Sequence, residues 1–204
     1  MKKMLSILAA CLFLTGLTFQ PAQASTFYLN QSNELADGVN YAQVDVTEVA
    51  GNLKFEVEVL DPTNWKFSSF FFNLSGAGAV SLTGLPSGWG LVASPSPYNV
   101  SEFGLFSNGV SGTGNSLQDD FSFIADGAND LTLTNLVANN KGWIFAGHTQ
   151  CQNKKSSPCS TVDYASSHFI SGTGEVSNVP VPAAVWLFGS AIAGLGTLKR
   201  RKNG

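Results

Sequence analysis

The sequence predicts an all-β protein: an antiparallel β-sandwich or jelly-roll-like ectodomain, with an N-terminal signal peptide and one C-terminal transmembrane helix. Three observations lead there. Several stretches alternate apolar and polar residues with a period of two, the pattern of a strand with one buried and one wet face. Short apolar runs are separated by Gly, Asn, Asp and Ser turns, and no helical period of useful length occurs between Ser25 and Asn178. Each end of the chain, by contrast, is an uncharged apolar run with basic residues on its outer side.

The strands follow in order. "STFYLN" opens the body at Ser25, and "YAQVDVTEV" alternates Ala42, Val44 and Val46 against Tyr41, Gln43, Asp45 and Thr47. "LKFEVEVL" is cleaner, with Leu53, Phe55, Val57 and Val59 on one side and Lys54, Glu56 and Glu58 on the other. Ala50-Gly51-Asn52 between them suits a tight hairpin turn. Asp61-Pro62-Thr63-Asn64 ends the second strand. "KFSSFFFNLSG" places Phe67, Phe70, Phe71 and Phe72 mostly in the core, and "AVSLTGL" follows. Pro86-Ser87-Gly88-Trp89-Gly90 reads as a turn carrying one large aromatic. "EFGLFSNGVSGTGNSLQDDFSFIA" holds two strands around a Gly/Ser/Asn linker. "DLTLTNLVA", "GWIFAGH" and "SSHFISGTGEV" complete a set of about ten short strands.

The N-terminus has the layout of an export signal. Lys2 and Lys3 precede an almost uncharged run from Met4 to Phe19, and Ala22-Gln23-Ala24 fits the small-x-small rule of signal peptidase, so that the mature chain begins near Ser25. Leu8-Ala9-Ala10-Cys11 also fits a lipobox, but the apolar run continues beyond Cys11, which reads as one more apolar residue of a discarded leader. At the other end Val179-Pro180-Val181-Pro182 is stiff and extended, because proline fixes its own φ and restricts the residue before it. Ala183 to Leu198 is uncharged, and Lys199-Arg200-Arg201-Lys202 follows at once. Sixteen helical residues reach about 24 Å against a hydrocarbon core of about 30 Å, a short span that snorkelling basic side chains extend. The basic cluster stays cytoplasmic by the positive-inside rule, which leaves the body outside.

The tail resembles the PEP-CTERM sorting signal. The residues that carry the likeness are Val179-Pro180-Val181-Pro182-Ala183-Ala184, the core Val185-Trp186-Leu187-Phe188-Gly189-Ser190, the Gly-rich stretch to Thr197, and Lys199 to Lys202. Val181 stands where that signal usually carries Glu. The resemblance implies a temporary anchor in the inner membrane and recognition by an exosortase-type sorting enzyme. It also implies a destination at the surface or matrix of a bacterium that makes exopolysaccharide. "GLPSGW", "SGTGNS", "FAGH" and "SSHFISG" also look like an ectodomain type found with such tails, which adds support for the fold and implies no activity.

Charge narrows the partners. All 14 acidic residues lie in the body, but only five of the 11 basic residues do, all of them lysine, so the body has a formal charge of −9. An acidic, arginine-free body argues against nucleic acid and anionic lipid as partners. The partners implied are the Sec translocon and signal peptidase, the sorting enzyme, the inner membrane and exopolysaccharide. Cys151 and Cys159 are expected to pair after export, closing the loop "QNKKSSP" for about 2–3 kcal/mol at most.

Candidate chemistry is sparse. His148 and His168 sit at strand ends, and if those strands pair the two approach each other and, with Asp163, offer a metal site; unrelated polar positions at sheet edges are the weightier reading. Asp119-Asp120 and Asp126 to Asp130 offer loop oxygens to calcium, but without EF-hand spacing, and Asx-Gly turns are their commoner use. No other cofactor is implied. No Gly-x-Ser-x-Gly elbow is present. Trp65, Trp89, Trp143, Tyr98 and Tyr164 offer sugar-stacking faces wherever they are exposed, and Trp89, between two glycines in a turn, is the leading candidate.

The chain thus divides into a signal peptide at 1–24, an ectodomain at 25–174, a linker with the Pro-Val-Pro motif at 175–182, a transmembrane helix at 183–198 and a basic cytoplasmic tail at 199–204. The expected role is structural or adhesive in an exopolysaccharide matrix, with a carbohydrate-binding module as the alternative and a hydrolase third.

Overall fold

The computed structural model describes residues 23–93, 96–114, 116–152, 167–173 and 179–180. Its clearest local feature is the hairpin read from the two alternating stretches. β3 (Ala42–Val49) pairs antiparallel with β4 (Asn52–Val59), from Ala42 opposite Val59 to Val49 opposite Asn52. The two-residue turn has positive φ at both positions, 50° at Ala50 and 79° at Gly51, the geometry whose twist matches the flanking strands. A Cβ at Gly51 would also meet the Asp130 carboxylate at 2.7 Å, so that exposed side chain would have to swing aside.

Twelve further strands are β1 (Gln23–Leu29), β2 (Gln31–Ser32), β5 (Trp65–Phe72), β6 (Val80–Thr83), β7 (Trp89–Ala93), β8 (Tyr98–Val100), β9 (Gly104–Phe106), β10 (Asn108–Gly112), β11 (Asp120–Gly127), β12 (Phe145–Cys151), β13 (Ser167–Gly172) and β14 (Val179–Pro180). One sheet runs β14-β1-β3-β4-β11-β6, a second runs β2-β13-β12-β5-β10-β7, and β8 and β9 form a small hairpin. The pairings among β1 to β13 are antiparallel. The protein is therefore all-β, and the two sheets share one core, the arrangement of a sandwich.

That core is aromatic. Phe55 of β4 lies 4.8 Å from the parallel ring of Phe123, 4.9 Å from Phe72 and 6.3 Å from Phe145, so one side chain joins β4 and β11 of the first sheet to β5 and β12 of the second. Phe27, Phe67, Phe70, Phe121 and Trp65 extend the cluster. Phe71 points the other way. It joins Val100, Phe103, Phe106 and Ala146 in a second cluster, with Trp143 and Phe169 packed against it, where the β8–β9 hairpin covers the outer side of the second sheet. The four phenylalanines expected in the core are all buried, and from Ser69 to Phe72 β5 is buried on both faces.

The structure departs from the expected strands in three ways. β2, β7 and β8 were not expected, and Trp89 and Gly90, read as part of a turn, open β7. "DLTLTNLVA" is no strand. Leu131 and Leu133 are buried as its period suggests, but Leu133–Asn135 is a 3-10 turn. Side chains supply what a ladder would have: Asn135 Oδ1 accepts the Thr132 N–H at 2.7 Å, and Glu48 Oε1 accepts the Leu133 N–H at 2.7 Å. "EFGLFSNGVSGTGNSLQDDFSFIA" holds three strands, β9, β10 and β11, where two were expected. Among the described residues no helix is long and apolar enough to cross a membrane. The leader through Ala22 and the tail from Val181 to Gly204, including Pro182, Trp186, Phe188, Gly189 and Lys199 to Lys202, lie outside the described residues. Ala24, the other expected signal-peptidase residue, is at the start of β1 opposite Thr47.

Ala50 tests the hairpin. Asn tolerates positive φ better than Ala, so Ala50→Asn is expected to raise the unfolding free energy by about 0.5–1 kcal/mol in chemical denaturation. Unchanged or lower stability would contradict the turn assigned here.

Candidate functional site

The strands carrying the two histidines do pair, and pairing separates them. In the β12–β13 ladder His148 stands opposite Phe169, and His168 stands opposite Thr149. Neighbouring positions on a strand point to opposite faces, so His148 faces outward while His168 faces the core. The lesser reading, in which the two rings approach, is not met, and the placing at strand ends and sheet edges is corrected: His148 is within β12, which runs between β13 and β5. Asp163, the third proposed ligand, lies outside the described residues. Among the described residues no group of three His, Cys, Asp or Glu is placed to hold a metal ion.

His168 is buried beneath two aromatic rings, 4.1 Å from Trp65 and 5.7 Å from Tyr41, both edge-on. The Thr149 hydroxyl is 3.2 Å from each ring nitrogen. Burial, reinforced by the charge of His148, pushes its pKa from 6.5 down to about 3, so the ring is neutral at ordinary pH. His148 is half-buried, lies flat on Phe169 at 4.4 Å, and has its pKa lowered by burial.

Ser68, which the sequence did not single out, is the polar partner of His148. Its Oγ lies 2.8 Å from His148 Nδ1 and donates to the His148 carbonyl at 3.1 Å. With the hydroxyl proton on the carbonyl, Nδ1–H is the donor and Ser68 Oγ the acceptor, the reverse of what an activated serine nucleophile needs. The bulge in β5 at Ser68 and Ser69, which shifts register opposite His148 and Thr149, is what brings the hydroxyl under the ring.

Trp89 is the second correction. It is only 8% exposed, its Nε1–H donates to the Ser116 carbonyl at 2.6 Å, and its ring lies 4.7 Å from Phe121. A glycine across the ladder serves its burial: a Cβ at Gly112, opposite Trp89, would collide with the indole, while the flanking Gly88 supplies the positive φ of the turn. The carbohydrate-binding alternative loses its leading residue. Trp65 is also buried, Trp143 is half-buried against Phe103, Tyr98 is exposed on the β8–β9 hairpin, and Tyr164 lies outside the described residues.

A concavity of about 660 Å³ lies on the outer face of the first sheet, lined by Asp45, Glu56, Glu58, Asp119 and Asp120 with Pro62 and Ser122. Strand alternation builds it. Asp45 stands opposite Glu56, and Glu58 stands opposite both Gln43 and Asp120. Like charges directly across a ladder repel. Part of the charge is matched: Lys54 Nζ is 2.8 Å from Glu56, Gln43 donates to Asp45 at 2.8 Å, and Lys66 Nζ is 3.2 Å from Asp119. The Lys66 hydrogen bond holds the Asp119 carboxyl below its ordinary value. The carboxylates are spread along strands, with successive same-face residues about 7 Å apart, and form an acidic surface. Cys151 ends β12, buried; Cys159 lies outside the described residues.

A buried neutral histidine makes stability depend on pH. Because the folded pKa of His168 is below the unfolded value, its contribution is intact above about pH 6.5 and is lost as pH falls toward 3. The unfolding free energy is expected to drop by about 2 kcal/mol between pH 7 and pH 5 on this account. His168→Gln should flatten that slope in urea melts at the two pH values, and an equally steep slope in the variant would contradict the assignment. No protein-family model, no curated protein and no solved structure matches this chain.

Proposed function

We propose that the chain is an exported matrix or surface protein whose body is delivered by a C-terminal sorting signal. Its role is then structural or adhesive within exopolysaccharide. The observation that carries this reading is the order Val179-Pro180-Val181-Pro182, Val185-Trp186-Leu187-Phe188-Gly189-Ser190, uncharged stretch, Lys199-Arg200-Arg201-Lys202. In that reading the Sec translocon and signal peptidase act on the first apolar run at Ala22 and Ala24. The second run holds the body at the inner membrane until an exosortase-type enzyme processes it, and the basic cluster keeps the last residues in the cytoplasm. The Cys151–Cys159 pair forms after export. The acidic, arginine-free body supports a solvated extracellular surface.

The basic cluster is where this is most easily broken. Replacing Lys199, Arg200, Arg201 and Lys202 together by Gln removes the charge that stops translocation. The body is then expected in the soluble exported fraction with its tail still attached, while the wild-type chain is held in membranes before processing. An unchanged distribution by fractionation and immunoblot would contradict the anchor.

A further inference from the structure

One flank of the molecule has uncharged, open sheet edges. β6 ends the first sheet and, among the described residues, pairs only with β11; β7 ends the second and pairs only with β10. The short turn 84–88 joins them, and the 4.7 Å approach of Trp89 in β7 to Phe121 in β11 confirms that the two edges share one flank. Register turns apolar side chains toward the gap between the sheets. Leu82 stands opposite Ala125 and Leu91 opposite Val110, both of them core residues. Yet the gap is incompletely closed. Leu91 is 41% exposed, Val92 is 46% exposed, and Val80, Leu82 and Leu85 are only partly buried.

Edge strands are usually protected by Lys, Pro or inward-pointing charge. Here "VSLT" and "WGLVA" carry none, and the whole stretch from Phe67 to Ser101 contains no charged residue. The bulge between Gly109 and Val110 shifts the β7–β10 register and leaves Val92 without a ladder partner, so apolar contact counts there as much as backbone pairing.

We propose that the β6–β7 flank is a self-association surface on which a second copy of this chain docks edge to edge. Charge selects the occupant. Two bodies of −9 repel across the carboxylate-lined face of the first sheet, while the two edge strands of this flank carry no charge and Asp126, opposite Ser81, is one strand in from the edge. An antiparallel edge is also self-complementary about a two-fold axis, so one patch serves both partners. The joined pair covers Leu91 and Val92 and continues both sheets across the interface. This inference is independent of the sorting proposal, because it concerns the body alone.

Sedimentation velocity on the full chain in detergent micelles tests it, with Val92→Lys and Ser81→Lys as separate edge variants and Val39→Lys, in the loop between β2 and β3, as control. Near-UV circular dichroism and melting temperature check that each variant is folded, and two edge positions guard against the failure of one. The expected result is reversible dimerisation of the wild type, weakened about tenfold or more by each folded edge variant and unchanged by Val39→Lys. A wild-type chain that stays monomeric to about 100 µM overturns the proposal. Dimerisation insensitive to the edge charges, which would place the contact in the tail, overturns it equally, as does equal weakening by the control.

Discussion

The packing of Phe55 between the two sheets is the constraint on which the rest of the structure depends. Its ring is stacked on Phe123 within its own sheet and touches Phe72 and Phe145 across the gap. Phe70 is 5.7 Å from Phe145 and 6.1 Å from Phe72, so the rings form a continuous layer. Aromatic side chains bury large areas and hold preferred mutual geometries, which sets both the spacing and the register of the sheets. Gly147 exists in this frame for a steric reason, because a Cβ there would collide with the Phe67 ring.

Once that layer is fixed, the outer faces take different characters. The first sheet presents carboxylates, Lys54 and Gln43 to solvent. The second sheet is covered by the β8–β9 hairpin over Phe71 and Ala146, and beyond the hairpin it carries the Ser68–His148 pair beside Phe169. His168 is drawn into the core by the same ladder that turns His148 outward, and its neutral state is the electrostatic consequence of that burial. The flank formed by β6 and β7 is left as an uncharged boundary of the aromatic core.

How much was legible beforehand depended on whether a signal was local. The β3–β4 hairpin was readable in full, since strict alternation around Ala50-Gly51 specifies both strands, their faces and the turn. The apolar spacing of Leu131 and Leu133 was equally real but ambiguous: Thr132 and Asn135 satisfy the backbone locally, and the segment turns where a strand was expected. Trp89 between two glycines suggested exposure, yet the glycine that lets the indole pack inward is Gly112, its partner across the ladder, which only strand pairing reveals. The separation of His148 from His168 required the β12–β13 register, because a shift of one residue reverses every face. The acidic surface was half visible in Glu56 and Glu58, and the placing of Asp45 opposite Glu56 and of Asp120 opposite Glu58 came only with strand order.

The central functional claim is that the described body is the mature protein, freed of both apolar ends. Intact mass of the chain recovered from membrane, surface and medium fractions tests it most directly. The account predicts a surface or released species that begins near Ser25, ends near Pro182 and is lighter by the two hydrogens lost when Cys151 and Cys159 join. A species that begins near Ser25 but retains Lys199 to Gly204, confined to membranes, would make the tail a permanent anchor and contradict the sorting reading.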